Sequence, residues 1–435
     1  MATDLKKVAR DKKLKYFLIS FVDMFGVLRA KLVPARAIGG MQADGAGFAG
    51  FAAWLDMTPA DPDMFAKPDP DSLTILPWDK EVGWLAADLW MNNAPVEAAP
   101  RMVLKRQIEK AAKAGYHMKT GVECEYFLID ADGTAISDPK DTQSKPCYDQ
   151  LSLMRRYPVI REICDAMIDL GWGPYQNDHE DANGQFEMNW DYDDCLLTAD
   201  RHVFFKYMVK SIAERHGVRA TFMPKPFADL TGNGCHTHVS FWDKSGKKNL
   251  FLNAKDEMGL SMLAYQFLGG VLNSAEALCA VFNPTVNSYK RLTAHTTLSG
   301  ATWSPNAVSY GGNNRTHMVR IPDQGRFELR LMDGATNPYL SQAGILMAGL
   351  DGIANKRDPG KRRDINMYTE GANLRGIKRL PQTLVDALRL MEKSRIVNDG
   401  FGKDVVQSYV GLKMQEWQSF TGHLSDWERQ HTLDC

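Results

Sequence analysis

The sequence predicts an α+β protein in which a curved antiparallel sheet carries the functional residues. Four short segments, residues 121–127, 185–190, 236–241 and 326–331, alternate polar and apolar side chains with a period of two. This period is typical of strands that bury one face. Helical segments separate some of these strands, but no regular strand–helix–strand order repeats, which favours an antiparallel sheet over a parallel one.

Length and composition favour two domains. The chain has 435 residues, of which 44% are hydrophobic and 24% charged. These fractions are typical of globular proteins, and the length exceeds what one compact core usually contains. A stretch with two asparagines and two prolines at residues 92–100 predicts a boundary, which gives an N-terminal domain of residues 1–95 and a larger domain of residues 96–435.

The N-terminal domain is predicted to contain one helix followed by short strands. A turn at residues 23–26 between two apolar segments indicates a hairpin. Residues 39–70 are rich in Gly, Ala, Pro and Asp and predict a long loop, which at that length is usually functional or mobile. The strands are predicted at residues 17–22, 27–33, 73–76 and 82–86.

Helix signals follow in the larger domain. Proline favours the first helical position and glycine the position after the last turn. Residues beyond Ser341 are predicted to be mostly helical. The other helices are predicted at residues 101–114, 158–170 and 198–216, which are followed by Gly115, Gly171 and Gly217.

Residues 45–50 match the letters of the dinucleotide-binding fingerprint G-x-G-x-x-G. That motif functions only between a strand and a helix of a βαβ unit. Residues 39–44 lack a strand pattern, so the sequence argues against a Rossmann site. No Walker A sequence occurs either, so ATP would have to be bound in another way.

Net charge and cysteine content narrow the range of partners. A formal charge of −1 provides no general attraction for nucleic acid or acidic membranes. No segment approaches 18 consecutive apolar residues, so no membrane span is expected. The seven cysteines show no CxxC spacing, which favours reduced thiols and a cytoplasmic location. Cys124, on the apolar face of its strand, is interpreted as a small core residue.

Two carboxylates on one predicted strand, Glu123 and Glu125, indicate a metal site, because neighbouring carboxylates repel each other unless a cation lies between them. A solvated edge strand is the alternative interpretation. The strongly apolar residues 127–129 favour a central strand instead. Glu180 and Glu187 flank an Asn-Gly turn and add two further carboxylates, although this pair is a weak signal by itself.

His236 and His238 share one face of another predicted strand, directly after a glycine-rich turn at residues 231–234. A single histidine is more often structural, but two beside a tight turn favour metal ligation. Imidazole suits Mn and Zn and can join carboxylates at such a site. Together these residues predict a site that binds a nucleotide with divalent ions.

Five arginines lie within forty residues downstream of these carboxylates. A surface salt-bridge network is one interpretation, but Arg is also the preferred clamp for phosphate and carboxylate groups. The combination favours phosphoryl transfer, in which positioning and charge neutralisation supply most of the catalysis. The five are Arg291, Arg315, Arg320, Arg326 and Arg330.

Four segments in the same order as in one known family identify the chain as similar to the glutamine synthetases. Residues 121–127 resemble the family's GxExEF strand, and residues 220–226 contain its MPKP segment. Residues 283–291 resemble its NPxxNSYKR segment, and residues 337–340 its NPYL segment. The resemblance covers nearly the whole chain and is nearest to the type III branch, which includes γ-glutamylmethylamide synthetases.

The resemblance implies a small N-terminal β-grasp domain and a large catalytic domain. It also implies a homo-oligomer built from rings, usually a dodecamer, with active sites between neighbouring subunits. The cofactors implied are ATP and two or more Mg²⁺ or Mn²⁺ ions per site. The glutamate γ-carboxylate would attack the γ-phosphate of ATP, and an amine would then attack the acyl phosphate.

The resemblance also assigns roles to individual residues. Glu125, Glu180 and Glu187 would hold the first metal ion, and Glu123, His236 and Glu328 the second. ATP would contact His238, Ser240, Arg320 and Arg326. The glutamate carboxylates and the γ-phosphoryl group would contact Arg291, Arg315 and Arg330, with Gly232 against the glutamate backbone. Asp44 of a neighbouring subunit would accept a proton from the amine.

One departure from the family pattern concerns the amine. Members that use ammonia carry a glutamate two residues before a proline on the loop between the positions of Arg291 and Arg315. Pro305 places Trp303 at that position here. An indole lacks the anion that holds ammonium, but it can pack against a methyl group or bind a cation through its ring, which contributes roughly 0.5–2 kcal/mol. We therefore expect Trp303 to favour a small alkylamine such as methylamine; the alternative interpretation is that Trp303 is a core residue.

Three further functions remain open from the sequence. The first is an ordinary glutamine synthetase that uses ammonia. The second is a catalytically inactive family member with a structural role, against which the intact set of carboxylates argues. The third is a metal-dependent hydrolase, against which the arginines and the MPKP segment argue.

Overall fold

The computed structural model describes residues 3–53, 55–294 and 297–435 and has the expected α+β class. The helices are α1 (Leu5–Lys12), α2 (Ile38–Asp44), α3 (Pro100–Lys113), α4 (Gln150–Arg155), α5 (Tyr157–Asp169), α6 (Cys195–Arg215), α7 (Met262–Phe282), α8 (Val286–Leu292), α9 (Pro338–Ala354), α10 (Leu384–Lys393), α11 (Arg395–Phe401), α12 (Lys403–Thr421) and α13 (Asp426–Thr432). None of the helices in these ranges is long and apolar enough to cross a membrane.

The strands form two sheets. Those of the first are β1 (Tyr16–Val22), β2 (Leu28–Pro34), β3 (Ala46–Phe48), β4 (Met64–Pro68), β5 (Thr74–Leu76), β6 (Asp79–Met91) and β7 (Ala94–Pro95). Those of the second are β8 (Tyr116–Ile129), β9 (Pro174–His179), β10 (Gln185–Trp190), β11 (Asp193–Asp194), β12 (Arg219–Thr221), β13 (Cys235–Asp243), β14 (Tyr310–Gly311), β15 (Val319–Arg320) and β16 (Phe327–Leu329).

The second sheet brings the four alternating segments side by side. Its strand order is β14-β15-β16-β13-β8-β10-β9, with β11 and β12 also paired to β8. All pairs are antiparallel except β14 with β15. The register places Glu187 opposite Glu125, and His236 opposite Glu123. Residues 62 and 113 positions apart in sequence therefore become direct neighbours in the sheet.

The first sheet has the order β2-β1-β6-β4-β3, and the predicted hairpin of β1 and β2 is confirmed. The Asp23 carboxylate closes the turn by accepting hydrogen bonds from the backbone N–H groups of Phe25 and Val27, at 3.0 and 2.9 Å. The long loop predicted for residues 39–70 is wrong, because most of α2 and all of β3 and β4 lie there. Pairing of β3 with β4, and of β4 with β6, overrides the local glycine-rich composition.

A buried arginine on α3 connects the two parts of the chain. Arg101 is 5% exposed and forms ion pairs with Asp69 (2.9 Å) and Asp88 (2.7 Å) of the N-terminal part. Its third partner is Asp200 of α6, at 2.9 Å. The strands of the first sheet end at Pro95 and α3 begins at Pro100. The division into domains of residues 1–95 and 96–435 stays a prediction.

Helices α6, α7 and α9 contribute many of the buried apolar side chains behind the second sheet. Gly270 lets α7 and α9 approach closely, since a Cβ at this position would lie 2.0 Å from the carbonyl oxygen of Ala348. The helices predicted at residues 101–114, 158–170 and 198–216 are confirmed as α3, α5 and α6. The mostly helical C-terminal region is confirmed except for residues 355–383, which contain only a short 3-10 turn.

Candidate active site

Three carboxylates from separate segments converge beside the second sheet. Glu125 lies on β8, Glu187 on β10, and Glu180 directly after β9. One oxygen of each lies within 4.8 Å of one oxygen of each of the others. This spacing can accommodate a single divalent ion between the three groups. They are the residues that the sequence predicted for the first metal ion.

Hydrogen bonds hold these carboxylates in place. Glu125 accepts from the Gln185 side-chain amide at 3.2 Å and from the backbone N–H of Gly234 at 2.6 Å. Glu187 accepts from the Asn189 amide at 3.0 Å. Gln185 and Asn189 lie two residues before and two residues after Glu187 on β10. The period of two therefore places all three side chains on the same face of the strand. The sequence placed both amides on the polar face but assigned them no role.

The carboxylates are too crowded for all of them to carry charge without cations. Burial raises the pKa of Glu180 well above its ordinary value, and the charges of Glu125 and Asp178 raise it further. The pKa of Glu187 is raised in the same way, by burial and then by Glu123 and Glu180. A divalent ion would remove this penalty, because it favours the ionised form of every neighbouring carboxylate.

A second group of ligands lies on β8, β13 and β16. The Nδ1 atom of His236 is 3.7 Å from Glu123 and 3.7 Å from Glu328. Its Nε2 atom lies 3.9 Å from a Glu125 oxygen and has no hydrogen-bond partner among the residues that the structure describes, which leaves it available to a bound species. His238 also reaches this group, since its Nε2 lies 2.9 Å from Glu123. The three residues predicted for the second metal ion are therefore adjacent, and the structure adds His238 beside them.

Arginines neutralise Glu328, which is fully buried. Arg320 donates to one of its oxygens at 2.8 Å, and Arg330 donates to the other. Burial acts to raise the pKa of Glu328, but the charges of Arg330, His236 and His238 lower it to about 2. Glu328 is therefore ionised at neutral pH. It can bind a cation as well as hold the two arginines in fixed positions.

The donor set fits two hard or borderline divalent ions. Five of the six predicted ligands are carboxylates and one is an imidazole, a mixture that suits Mg²⁺ and Mn²⁺. The orphaned Nε2 of His236 and the raised pKa values of Glu180 and Glu187 are the costs of leaving such a site without cations. When bound, such ions would supply electrostatic stabilisation of phosphate charge.

A cavity of about 240 Å³ opens next to the second ligand group. Its lining includes Glu123, His238, Ser240 and Arg326. The guanidinium of Arg326 donates to Nδ1 of His238 at 2.8 Å, which fixes the imidazole orientation. Three aromatic side chains also line the cavity and can stack on a base. They are Tyr175, Tyr192 and Trp242.

Two of the segments that resemble family motifs, residues 220–226 and 283–291, are joined by hydrogen bonds. The backbone N–H of Lys225 donates to the Asn287 side chain at 2.7 Å, and Asn287 donates back to the Lys225 carbonyl at 3.0 Å. This pairing sets α8, and with it Arg291, against the Gly232 turn. A Cβ at Gly232 would lie 2.3 Å from the Pro224 carbonyl oxygen and 3.1 Å from Cγ of Arg291. Only glycine fits there without movement.

The loop that carries Trp303 is anchored to this turn. The buried carboxylate of Asp181 accepts hydrogen bonds from Thr231, at 2.8 Å, and from Ser299. Trp303 has a left-handed backbone, with φ of 52°, and its buried indole N–H has no hydrogen-bond partner within the described part of the chain. A positive φ is unfavourable for a bulky residue, so the surrounding structure must hold it there.

Two predicted residues do not join the cleft within one chain. Asp44 is exposed at the end of α2, and Arg315 is exposed on a loop. Among residues 3–53, 55–294 and 297–435, no hydrogen bond or ion pair connects Asp44 to the ligands. The charge of Arg315 nevertheless acts to lower the pKa of Tyr148 and of Arg320, so Arg315 lies near these two residues.

Sequence reasoning missed Asp178. It lies on β9 directly opposite Glu187 of β10, and so shares the polar face of the sheet. Burial, followed by the charges of Glu125 and Glu123, raises its pKa to about 6. Its position two residues before Glu180 was a usable signal, because residues i and i+2 of a strand share a face.

Comparison with known proteins agrees with this geometry. Residues 97–432 match the family model described as "Glutamine synthetase, catalytic domain". A glutamine synthetase of Rhizobium leguminosarum bv. phaseoli is 60% identical over the full length of both chains. A glutamate–methylamine ligase of Methyloversatilis universalis is 42% identical over 99% of both chains.

Solved structures are also similar over the whole chain. One described as "GmaS/ADP complex-Conformation 1" is 62% identical, covers 100% of both chains and superposes with a TM-score of 0.96. Another, described as "Apo GmaS without ligand", is 61% identical with a TM-score of 0.95. The chain therefore belongs to the glutamine synthetase family of ATP-dependent glutamate ligases.

Proposed function

We propose that this enzyme joins the γ-carboxylate of L-glutamate to methylamine, with ATP consumed through a γ-glutamyl phosphate. The observation that carries the choice of amine is Trp303, a neutral ring at the position where the family resemblance implies a glutamate in ammonia-using members. The 62% identity to the GmaS structure and the 42% identity to a glutamate–methylamine ligase support it.

In the proposed reaction, a γ-carboxylate oxygen of glutamate attacks the γ-phosphorus of ATP, and ADP leaves. Arg330 would bind the transferred phosphoryl group together with Arg315, and Arg320 would contact ATP; the hydrogen bonds of Arg320 and Arg330 to Glu328 support these roles. The amine nitrogen then attacks the acyl carbon, the amide bond forms, and inorganic phosphate leaves. Arg291, beside the Gly232 turn, would orient the glutamate.

The metal ligands proposed are the six that the sequence predicted, with His238 and Asp178 close to them. Mg²⁺ and Mn²⁺ both suit this donor set, and when bound they would supply electrostatic stabilisation of the phosphoryl group. The cavity that contains His238, Ser240 and Arg326 would take the nucleotide.

A neighbouring subunit would supply Asp44 as the group that accepts the proton from the alkylammonium ion. Its exposure at the end of α2 supports a role across a subunit interface. We therefore propose a homo-oligomer, with a dodecamer as the expected size. Free thiols at all seven cysteines support a cytoplasmic location.

Ammonia is the second candidate for the amine. Two relatives that are about 60% identical over the full length, from Rhizobium leguminosarum and Rhizobium meliloti, are named glutamine synthetase. An enzyme with this specificity would form glutamine at the same site, by the same acyl phosphate.

Initial rates with methylamine and with ammonium, at saturating glutamate and ATP, decide between the two. We expect kcat/KM for methylamine to exceed that for ammonium at least tenfold, about 1.4 kcal/mol in transition-state binding. The Trp303→Glu variant should shift this ratio toward ammonium, whereas Trp303→Phe should keep it. A wild-type preference for ammonium would reject the methylamine assignment.

A further inference from the structure

The reverse face of the ligand-bearing strands carries a second cluster of metal-ligand side chains. It consists of Cys124 of β8, Cys235 of β13 and His202 of α6, and we call it the Cys–His–Cys cluster. Their relative exposures are 0%, 1% and 1%. One donor atom of each residue lies within 4.8 Å of those of the other two.

The two cysteines are direct neighbours on adjacent strands of the sheet. Cys235 is the register partner of Cys124, and the backbone N–H of Glu125 donates to the carbonyl of Gly234. This hydrogen bond makes the cysteines a non-hydrogen-bonded antiparallel pair, the geometry in which side chains approach most closely. The strand pairing therefore fixes two sulfur atoms side by side.

The histidine completes a triangle whose sides suit a metal ion. Nε2 of His202 lies 3.5 Å from Sγ of Cys124 and 3.9 Å from Sγ of Cys235. Zinc takes sulfur at about 2.3 Å and imidazole nitrogen at about 2.0–2.1 Å with tetrahedral angles, so S···N separations near 3.6 Å are expected around it. The observed separations bracket that value.

We propose that the Cys–His–Cys cluster binds one borderline-soft divalent ion such as Zn²⁺. Two thiolates and a neutral imidazole cancel its charge, which suits a dry core better than any charged set would. The three protein ligands leave a fourth position, as in zinc sites that hold a water molecule. The ion would link β8, β13 and α6 on the face of the sheet opposite the carboxylates.

The cluster is tied to the active site through the chain itself. Cys124 lies between Glu123 and Glu125, and Cys235 directly precedes His236. An ion behind the sheet therefore fixes the same β8–β13 register that sets the oxygen-rich sites on the front. Binding should raise the melting temperature of the protein without any contact with substrate.

Cobalt serves as the probe, because thiolate-to-cobalt charge transfer reports sulfur ligation and oxygen-rich sites give no such band. The full-length protein is produced with Co²⁺ in the medium and dialysed against excess Mg²⁺ to clear the front sites. We expect about one Co²⁺ per chain and the charge-transfer band. We also expect a melting temperature higher than that of the cobalt-free protein.

Cys235→Ser and His202→Gln should each lower the retained cobalt at least roughly tenfold, with loss of the band. Cys279→Ser is the matched control, since Cys279 is also fully buried but lies on α7 outside the cluster. Wild-type protein that retains less than about a tenth of an ion per chain would overturn the proposal. So would a band that survives in both cluster variants, or an intact mass that shows Cys124 and Cys235 joined as a disulfide.

Discussion

Glu187 of β10 lies directly opposite Glu125 of β8 in an antiparallel pair, and both side chains are buried. Like charges in this arrangement destabilise a sheet. The Gln185 amide of β10 donates to Glu125 of β8 and so supports this register, while the Asn189 amide donates to Glu187 within β10. The sheet thus stores electrostatic repulsion that divalent cations would relieve.

This relationship predicts opposite effects of Glu187→Gln with and without metal ions. In chelator, the variant should be at least as stable as the wild type, because it removes a buried carboxylate from a crowded cluster. The rise in melting temperature that Mg²⁺ or Mn²⁺ gives the wild type should shrink markedly, and kcat should fall at least a hundredfold. Differential scanning calorimetry and an ADP-release assay measure both effects.

Glu214→Gln is the control for the loss of a carboxylate, because Glu214 is exposed on the last turn of α6. It should keep the full stabilisation by metal ions and the full activity. An identical response of the two variants to Mg²⁺ would contradict the metal assignment.

Asp178 makes the stability of the metal-free protein depend on pH. Its pKa is raised to about 6 in the folded protein, mainly by burial, while in the unfolded chain it is near 3.9. The folded state therefore binds the extra proton between these values, and stability is lost as the pH rises through about 6. In chelator, the wild type should lose melting temperature relative to Asp178→Asn between about pH 4 and pH 7. Parallel curves for the two proteins would disprove the shift.

Gly232→Ala should impair the use of glutamate, because its structural effect is confined to the turn that contains Gly232. The added methyl group would meet the Pro224 carbonyl oxygen at 2.3 Å, so the turn must move relative to Arg291. We expect kcat/KM for glutamate to fall roughly 10–100-fold. Gly411→Ala is the control, since nothing lies within 4 Å of the Cβ it would add on α12. Unchanged glutamate kinetics in Gly232→Ala would remove this turn from the substrate site.

Asp44→Asn tests whether a neighbouring subunit completes the site. Asp44 is exposed within its own chain, so the substitution should leave the melting temperature and the oligomer size unchanged. Loss of a positioned general base typically costs 10²–10⁴-fold, and we expect a kcat decrease in that range. Acyl-phosphate formation, followed with hydroxylamine as the trapping nucleophile, should be less affected than amide formation with methylamine. A full-rate variant would rule Asp44 out as the base.

Arg101→Ala should destabilise the protein by about 3–5 kcal/mol, because it leaves Asp69, Asp88 and Asp200 without their buried cation. The control is Arg395→Ala, which removes an exposed pair with Asp399 and should change stability by about 0.5 kcal/mol or less. Chemical denaturation of each variant measures the difference. Equal stability of the two variants would contradict a structural role for Arg101.

The alternating segments determined by themselves that Glu123, Glu125, His236 and Glu187 lie on strand faces, because side-chain direction in a strand follows from position alone. The hairpin of β1 and β2 and helices α3, α5 and α6 were equally predictable from local signals. The region of residues 39–70 was not, since β3 pairs with β4 and β4 with β6, and local composition carries no record of that pairing.

Only the tertiary structure decided which strand faces meet and at what register. It put Glu125 opposite Glu187 and Asp178 beside both, and it set Cys124 against Cys235 and His202 on the opposite face. These are contacts between residues far apart in sequence, fixed by backbone pairing across the sheet and by helix packing behind it. The sequence names the side chains that can bind ions, but burial and proximity set their charges, and both exist only in the folded chain.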